Sequence, residues 1–323
     1  MKIVNFNTSY STQNLGDYII VEAIKEEMSF LFEKCFVYEL STHTPPATFL
    51  QCNNRSEIMR ACKGSDYKFI DGTNIIKRSL LHPWPAWNVN LFNCRPYSNS
   101  ILIGAGTDGT FKKPDIYTTC LYKRILSKDF VHSTRDEKTK TLLETMGYKA
   151  INTGCPTTWS LDKEHCKKIP TQKANKVIFT LTDYRPNEQS DKKLIQTLRN
   201  EYDKLYFFAQ GREDEEYLNK ITDTADLEVI RSLEKYKKTL IDENVDYVGT
   251  RLHAAIYAMK YFVRSTIIVV DNRTRDMKDI LGVPLIERND IDKLSDKIHS
   301  KWKTNINIDT SSIMEWKGQF NIK

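Results

Sequence analysis

Short apolar runs alternate with amphipathic stretches along most of the chain, and this rhythm predicts strands separated by helices. Strands are predicted at residues 3–7, 36–40, 69–71, 101–103, 131–134, 177–182, 205–209, 247–249 and 266–270. Helices are predicted at residues 17–32, 137–146, 192–202, 213–222, 232–243, 252–261 and 291–304. Such alternation is typical of βαβ units and a mostly parallel sheet, so the chain is predicted to be an α/β protein.

The α/β rhythm is interrupted by a Lys-rich polar stretch at residues 161–175, which predicts a linker. A length of 323 residues is also suited to two domains. We therefore expect an N-terminal domain over residues 1–165, a C-terminal domain over residues 176–290 and a helical tail over residues 291–323. Two such α/β units would form an enzyme with a cleft between them.

Composition and charge narrow the class of ligand. The chain is 40% hydrophobic and 28% charged, which indicates a folded globular protein. Its net charge of +6 is spread out, with a surplus of four in residues 1–160 and two in residues 161–323. Nucleic-acid-binding proteins concentrate their positive charge on a patch or tail. The distribution therefore favours small anionic ligands over a nucleic acid.

The chain carries no pattern typical of secretion, membrane insertion or metal binding. Its start lacks the apolar core and cleavage site of a signal peptide, and no apolar run approaches the ~18 residues of a membrane span. The seven cysteines include no Cys-x-x-Cys pair, which argues against disulfides and zinc. We expect a cytoplasmic protein without a metal or other cofactor.

The strongest candidate site lies where the strand at 247–249 runs into the helix at 252–261. Thr250 is the predicted N-cap of that helix, and Arg251 and His253 lie in its first turn with Leu252 between them. Amide N–H groups, a guanidinium and an imidazole together suit a phosphate or carboxylate. The same residues are also compatible with a surface ion pair and an ordinary histidine.

Two further charged positions stand at predicted helix entries. Arg135 follows a strand, and Asp136 after it suits the helix start. The pair is equally compatible with a surface ion pair. Asp17 is predicted chiefly as an N-cap, although it could also accept a proton or hydrogen bond from a substrate hydroxyl.

The remaining candidates are turns and arginines at strand ends. Gly72 and Gly106 lie in glycine turns that allow a ligand to approach the backbone closely. Neither turn has the Rossmann fingerprint or the P-loop pattern, which argues against a nicotinamide dehydrogenase. Arg185 and Arg275 follow predicted strands of the C-terminal half and are candidate ligand contacts, although each also suits ordinary surface.

Several of these motifs occur together in an order that resembles one enzyme family. They are Asn14-Leu15-Gly16-Asp17, Gly72, Ile103-Gly104-Ala105-Gly106, Ser133-Thr134-Arg135-Asp136, Gly154-Cys155-Pro156 and Gly249-Thr250-Arg251-Leu252-His253-Ala254. Over residues 3–286 their order and spacing resemble the polysaccharide pyruvyl transferase family. The Arg-Leu-His run and the upstream Ser-x-Arg-Asp carry the resemblance. Many members have Gly-Asp-Pro where this chain has Gly-Cys-Pro.

The resemblance implies a GT-B-like fold, with two Rossmann-like domains facing each other across a cleft. It also implies transfer of a pyruvyl group from phosphoenolpyruvate to sugar hydroxyls of a cell-surface polysaccharide or its precursor. Arg135, Arg251 and His253 would hold the phosphate and carboxylate of phosphoenolpyruvate. We expect His253 to be the acid or to stabilise the leaving phosphate, and Asp17 to be the base on the acceptor.

Two other functions are compatible with the sequence. One is a GT-B glycosyltransferase with a nucleotide-sugar donor, whose diphosphate would bind at the same helix start. The other is a sugar-phosphate-binding regulator that keeps the fold without catalysis. The expected partners are phosphoenolpyruvate and a saccharide, with lipid attachment of the saccharide, peripheral membrane contact and oligomeric state left open.

Overall fold

The computed structural model describes residues 1–82, 86–107, 109, 113–271, 274–275 and 277–320. Its strands are β1 (Lys2–Asn7), β2 (Phe36–Ser41), β3 (Tyr67–Asp71), β4 (Ile101–Ile103), β5 (His132–Thr134), β6 (Ala150–Asn152), β7 (Lys176–Thr180), β8 (Lys204–Phe208), β9 (Leu227–Ile230), β10 (Val245–Gly249), β11 (Ser265–Val269), β12 (Leu281–Gly282), β13 (Leu285–Glu287) and β14 (Asn305–Ile306). Its α-helices are α1 (Leu15–Glu27), α2 (Ser29–Phe32), α3 (Phe49–Cys52), α4 (Glu57–Lys63), α5 (Ile116–Ile125), α6 (Glu137–Thr145), α7 (Lys163–Lys167), α8 (Glu188–Glu201), α9 (Asp214–Ile221), α10 (Leu233–Asp242), α11 (Leu252–Lys260), α12 (Leu294–His299) and α13 (Thr310–Lys317). Short 3₁₀ helices occupy Arg95–Tyr97, Pro156–Thr158 and Arg288–Lys293.

The chain divides into two compact units. Unit 1 comprises residues 1–12, 20–159 and 309–323, and unit 2 comprises residues 13–19 and 160–308. The predicted α/β class with two Rossmann-like domains is confirmed, because each unit is built on a parallel sheet flanked by helices.

The predicted boundaries differ from those of the structure. The stretch expected to be a linker belongs to unit 2, since Leu161, Cys166 and Ile169 are buried in its core. The expected tail is divided at residue 308. In its last part Trp316 Nε1 donates to the Val131 carbonyl of unit 1 at 2.8 Å. In both places a few apolar side chains anchor a largely polar segment.

The sheet of unit 1 has the strand order β2-β1-β3-β4, all parallel. A parallel bridge between Ala105 and Thr134 connects the end of β4 to the parallel pair β5–β6. Successive side chains enter cores on opposite faces, as Phe69 and Ile70 do on β3. The order reverses between β1 and β3, and in such sheets ligands bind beyond the strand ends at that point.

A buried carboxyl group lies at this reversal point. Asp71, the last residue of β3, is fully buried and accepts a hydrogen bond from Asn5 Nδ2 of β1 at 3.0 Å. Burial raises the pKa of Asp71 to about 7, and the hydrogen bond from Asn5 only partly opposes this. Sequence periodicity does not distinguish this aspartate from one at the protein surface.

We expect Asp71→Asn to stabilise the protein more at pH 8 than at pH 5. An unfolded aspartate loses its proton near pH 4, whereas folded Asp71 keeps it to about pH 7, so wild-type stability falls as the pH rises between these values. The gain in the free energy of unfolding should be roughly 2–3 kcal/mol larger at pH 8. Urea unfolding of both proteins at the two pH values measures it. An equal effect at both would contradict the assignment.

Unit 2 has the strand order β9-β8-β7-β10-β11-β13, all parallel. Counted within this sheet, this is the order 3-2-1-4-5-6 of a dinucleotide-binding Rossmann sheet, which reverses between β7 and β10. Successive residues such as Tyr247 and Val248 on β10 again enter opposite cores.

One buried arginine joins the amino ends of the central strands of unit 2 to a later segment. Arg264 is 2% exposed and pairs with Asp246 at 2.6 Å. It also donates to the carbonyls of Ile298 and Ser300 at 2.7 and 2.9 Å. The Trp302 ring lies 3.5 Å from the guanidinium carbon. These contacts hold residues 298–302 in place at the end of the sheet opposite to the strand ends described next.

Candidate functional site at the strand ends

The carboxyl ends of β7 and β10 are tied together at the reversal point of the unit 2 sheet. The Thr250 amide donates to the Thr180 carbonyl at 3.2 Å, and the Arg251 amide donates to Thr180 Oγ1 at 3.1 Å. The hydroxyls of Thr182 and Thr250 lie 2.8 Å apart. These contacts fix the turn between β10 and α11 before any ligand arrives.

Arg251 is buried within this turn and meets two carboxylates. Its Nη2 lies 2.7 Å from Asp183 Oδ1, its Nε lies 3.0 Å from Asp214 Oδ2, and Nη2 also pairs with Asp214 Oδ1. Its Nε also donates to the Leu181 carbonyl at 3.2 Å. The Tyr184 ring lies 5.0 Å from the guanidinium carbon. The guanidinium is therefore held in a fixed orientation.

Asp214 is the residue around which this arrangement is organised. It is fully buried and also accepts from the backbone amides of Gly211 at 2.7 Å and Asp183 at 3.2 Å. Burial raises the pKa of Asp214, and the Arg251 charge opposes this. A Cβ on Gly211 would overlap Arg251, so this close approach requires glycine.

The helix start differs from the prediction in one respect. Arg251 occupies the N-cap position of α11 and its side chain makes no capping hydrogen bond, so the prediction of Thr250 as N-cap is wrong. The Thr250 hydroxyl is instead engaged by Thr182 and by the Thr180 carbonyl. Leu252, the first helical residue, packs on the core, and half-buried His253 follows in the first turn.

Asp17 belongs to unit 2, although the sequence placed it in the N-terminal domain. It is the third residue of α1 and is buried. Its predicted N-cap role is wrong, because the helix begins at Leu15 and the Gly16 amide donates to Asn14 Oδ1 at 3.0 Å. The Leu15 amide donates to the Gln210 carbonyl at 2.8 Å, which ties this segment to the end of β8.

Arg185 and Arg275 are exposed, unlike Arg251. Arg185 lies in the loop after β7, where its carbonyl accepts a hydrogen bond from Arg288. Arg275 forms a two-pronged ion pair with Glu287, with N–O distances of 3.0 and 2.7 Å. A role for either arginine in ligand binding stays a prediction.

In unit 1, a second group of polar side chains surrounds Arg135, which was predicted from the sequence. Arg135 Nη2 donates to Asn74 Oδ1, and its Nε lies 3.5 Å from Asp136 Oδ2. Asp136 caps α6 by accepting from the Thr139 amide at 2.7 Å. A Cβ on Gly106 would overlap the Arg135 side chain, so glycine permits this approach. Asn74 was not among the predicted site residues, although it follows β3 in the same turn as Gly72.

Gly72 and Cys155 are two further residues of unit 1 that the sequence singled out. Gly72 directly follows β3 and packs against the backbone of Ile103 and Gly104. Cys155 lies in the Gly154-Cys155-Pro156 run, which departs from the expected Gly-Asp-Pro. It is 5% exposed, and its Sγ lies 3.1 Å from Thr157 Oγ1.

The structure thus separates the expected residues into two groups. Arg135, Gly72 and Gly106 lie in unit 1, whereas Arg251, Leu252, His253 and Asp17 lie in unit 2. A model of the family described as polysaccharide pyruvyl transferase matches residues 14–272, a range that includes both groups. The chain belongs to the polysaccharide pyruvyl transferase family.

Three solved structures are also similar in fold to this family member. One is the UDP-GlcNAc 2-epimerase of Methanocaldococcus jannaschii in complex with UDP-GlcNAc and UDP, with 10% identity, 97% coverage of both chains and a TM-score of 0.48. Another is MnaA of S. aureus with UDP, with 10% identity, coverage of 93% of this chain and 91% of that chain, and a TM-score of 0.45. A third is the E. coli heptosyltransferase WaaC with ADP-2-deoxy-2-fluoro heptose, with 11% identity, coverage of 83% and 88%, and a TM-score of 0.40.

No curated protein sequence matches this pyruvyl transferase family member. None of the helices in the described residues has the length and apolar character needed to cross a bilayer.

Proposed function

We propose that the chain transfers a pyruvyl group from phosphoenolpyruvate to two hydroxyls of a saccharide and forms a pyruvate ketal. The observation that carries this proposal is the Arg251-Leu252-His253 run at the start of α11, beside the reversal point of a Rossmann-like sheet. Membership of the chain in the polysaccharide pyruvyl transferase family supports pyruvyl transfer as the class of reaction. The saccharide would belong to a cell-surface polysaccharide or its precursor.

Phosphoenolpyruvate carries a phosphate and a carboxylate on a three-carbon frame, and the start of α11 suits such an anion. The first amides of a helix have no intrahelical partner and lie at the positive end of its dipole. Arg251 is already held by Asp183 and Asp214. We propose that this arrangement orients the guanidinium in advance, so that little reorganisation is needed when the ligand binds.

The proposed reaction has three steps. A proton is added to the methylene carbon of phosphoenolpyruvate, which becomes a methyl group and leaves C2 electrophilic. One sugar hydroxyl then forms a bond to C2 and gives up its proton. A second hydroxyl forms the other bond to C2, while the bond between C2 and the phosphate oxygen breaks. One of the two hydroxyl protons balances the proton taken up by carbon, and the other leaves with phosphate or solvent.

Two side chains of unit 2 have proposed roles in these steps. His253 would donate the proton or stabilise the departing phosphate, since an imidazole can exchange a proton near neutral pH. Buried Asp17 would act as the base on the acceptor hydroxyl. A role for Arg135 of unit 1 in binding the donor stays a prediction.

The proposal is tested by incubating the full chain with phosphoenolpyruvate and a panel of galactose- and mannosamine-containing acceptors. We expect phosphate release only when an acceptor is present, a new ketal methyl signal in the NMR spectrum, and unchanged activity in EDTA. Transfer from UDP- or ADP-sugars in parallel reactions would overturn the proposal in favour of a glycosyltransferase. Thermal stabilisation by phosphoenolpyruvate without turnover on any acceptor would overturn it in favour of a regulator.

A further inference from the structure

Three large apolar side chains are exposed together on one part of unit 1. Phe49 and Leu50 on α3 are 56% and 75% exposed, and Phe92 is 69% exposed. The rings of Phe49 and Phe92 meet edge to face with centroids 5.8 Å apart, so they form one feature. Side chains of this size rarely gather at a surface unless they meet a partner.

A basic cavity of about 230 Å³ lies beside these side chains, between α4, residues 94–98 and the end of α5. Its lining includes the buried side chains of Met59, Cys62 and Cys94 and the exposed cations Lys63, Arg95 and Arg124. Arg95 Nη1 donates to Asn53 Oδ1 at 2.8 Å, which connects the cavity to the end of α3. Within the described part of the chain, none of the three cations lies within ion-pair distance of a carboxylate.

The flanking sequence adds to this positive charge. Residues 49–63 contain the cations Arg55, Arg60 and Lys63 and a single acidic residue, Glu57. We name the set Phe49, Leu50, Phe92, Lys63, Arg95 and Arg124 the aromatic–basic surface.

We propose that the aromatic–basic surface binds the interface of an anionic lipid bilayer. Apolar side chains enter the boundary between headgroups and acyl chains, while nearby lysines and arginines are attracted to anionic headgroups. A cavity lined by apolar side chains and three cations suits a lipid phosphate with the first carbons of its chains. This charge complementarity favours an anionic bilayer over a protein partner.

Co-sedimentation of the full chain with vesicles tests the proposal. We expect sedimentation with vesicles of mixed phosphatidylglycerol and phosphatidylcholine, little with pure phosphatidylcholine, and release by salt. Two surface variants are compared, the apolar triple Phe49→Ser, Leu50→Ser and Phe92→Ser, and the cationic triple Lys63→Gln, Arg95→Gln and Arg124→Gln. The cationic triple should weaken binding roughly 100-fold.

Control variants distinguish binding by this surface from non-specific hydrophobic adsorption and from the effect of net charge. Ile241→Ser with Met314→Ser removes two other exposed apolar side chains, and Lys238→Gln, Lys301→Gln and Lys303→Gln removes three exposed cations of unit 2. Both controls should sediment like the wild type, and thermal unfolding should show that all variants are folded.

Three results would overturn the proposal. The first is that the wild type sediments equally with both kinds of vesicle, or with neither. The second is that both surface variants bind vesicles as well as the wild type does. The third is that the wild type is a dimer which the apolar triple converts to a monomer. The test does not use the proposed reaction, so failure of one leaves the other standing.

Discussion

Replacement of His253 by alanine is expected to abolish ketal formation while the protein remains folded. His253 lies in the first turn of α11, where it follows a residue that packs on the core but is itself only half-buried. Loss of a positioned acid typically costs 10²–10⁴-fold, so the rate should fall by roughly 10³-fold. Phosphate release and the ketal methyl signal measure the loss.

A second histidine supplies the control. His299 at the end of α12 is exposed, and its Nε2 lies 2.5 Å from Glu201 Oε2. It is distant in sequence from the turn between β10 and α11. His299→Ala should retain wild-type activity. Full activity in His253→Ala would remove His253 from the mechanism. A large fall in melting temperature would instead give it a structural role.

The two groups of strand-end residues could be located from the sequence because parallel strands direct their carboxyl ends to one edge. Strands ending at Gly249 and Thr134 were predicted from the sequence, and Arg135 follows the second directly, whereas Arg251 follows the first after Thr250. Arg251 could be predicted as a site residue because it lies between a predicted strand and a predicted helix that are adjacent in sequence. The same reasoning found most of the central strands.

The strands that were missed lie at or near sheet edges and are less buried. β9 includes Glu228, which pairs with Lys204 of β8 at 2.9 Å, and its first three residues are only half-buried. β6 is half-buried throughout. Such strands are stabilised by pairing with a neighbouring strand, and the hydrophobic pattern of a short segment does not show which strand it pairs with.

The partners of Arg251 were missed for a different reason. Asp183 and Asp214 are separated from it by 68 and 37 residues, so no spacing rule connects the three. A signal did exist, because both aspartates follow strands adjacent to one another in a Rossmann order. The sequence therefore predicted a cation at this edge, whereas the structure adds the carboxylates that hold it.

These carboxylates lead to the last prediction, that Asp214→Asn lowers both catalytic efficiency and stability. Each carboxylate oxygen of Asp214 accepts from one Arg251 nitrogen and one backbone amide, so in either orientation an asparagine N–H faces two donors that lose their acceptor. Breaking a buried ion pair on one side costs about 3 kcal/mol of the free energy of unfolding. Displacing the guanidinium by even ~1 Å is expected to lower kcat/KM for phosphoenolpyruvate about 100-fold.

Asp183→Asn is the matched control, because Asp183 contacts the same guanidinium with a side chain that is 21% exposed. Its smaller burial should limit the loss of stability to about 1 kcal/mol and the loss of activity to a few-fold. Kinetics are measured well below the melting temperature of each variant. If Asp214 only stabilised unit 2, folded Asp214→Asn would keep the wild-type KM and differ only in its melting temperature. A raised KM with the fold preserved would identify it as the residue that positions Arg251 for the ligand.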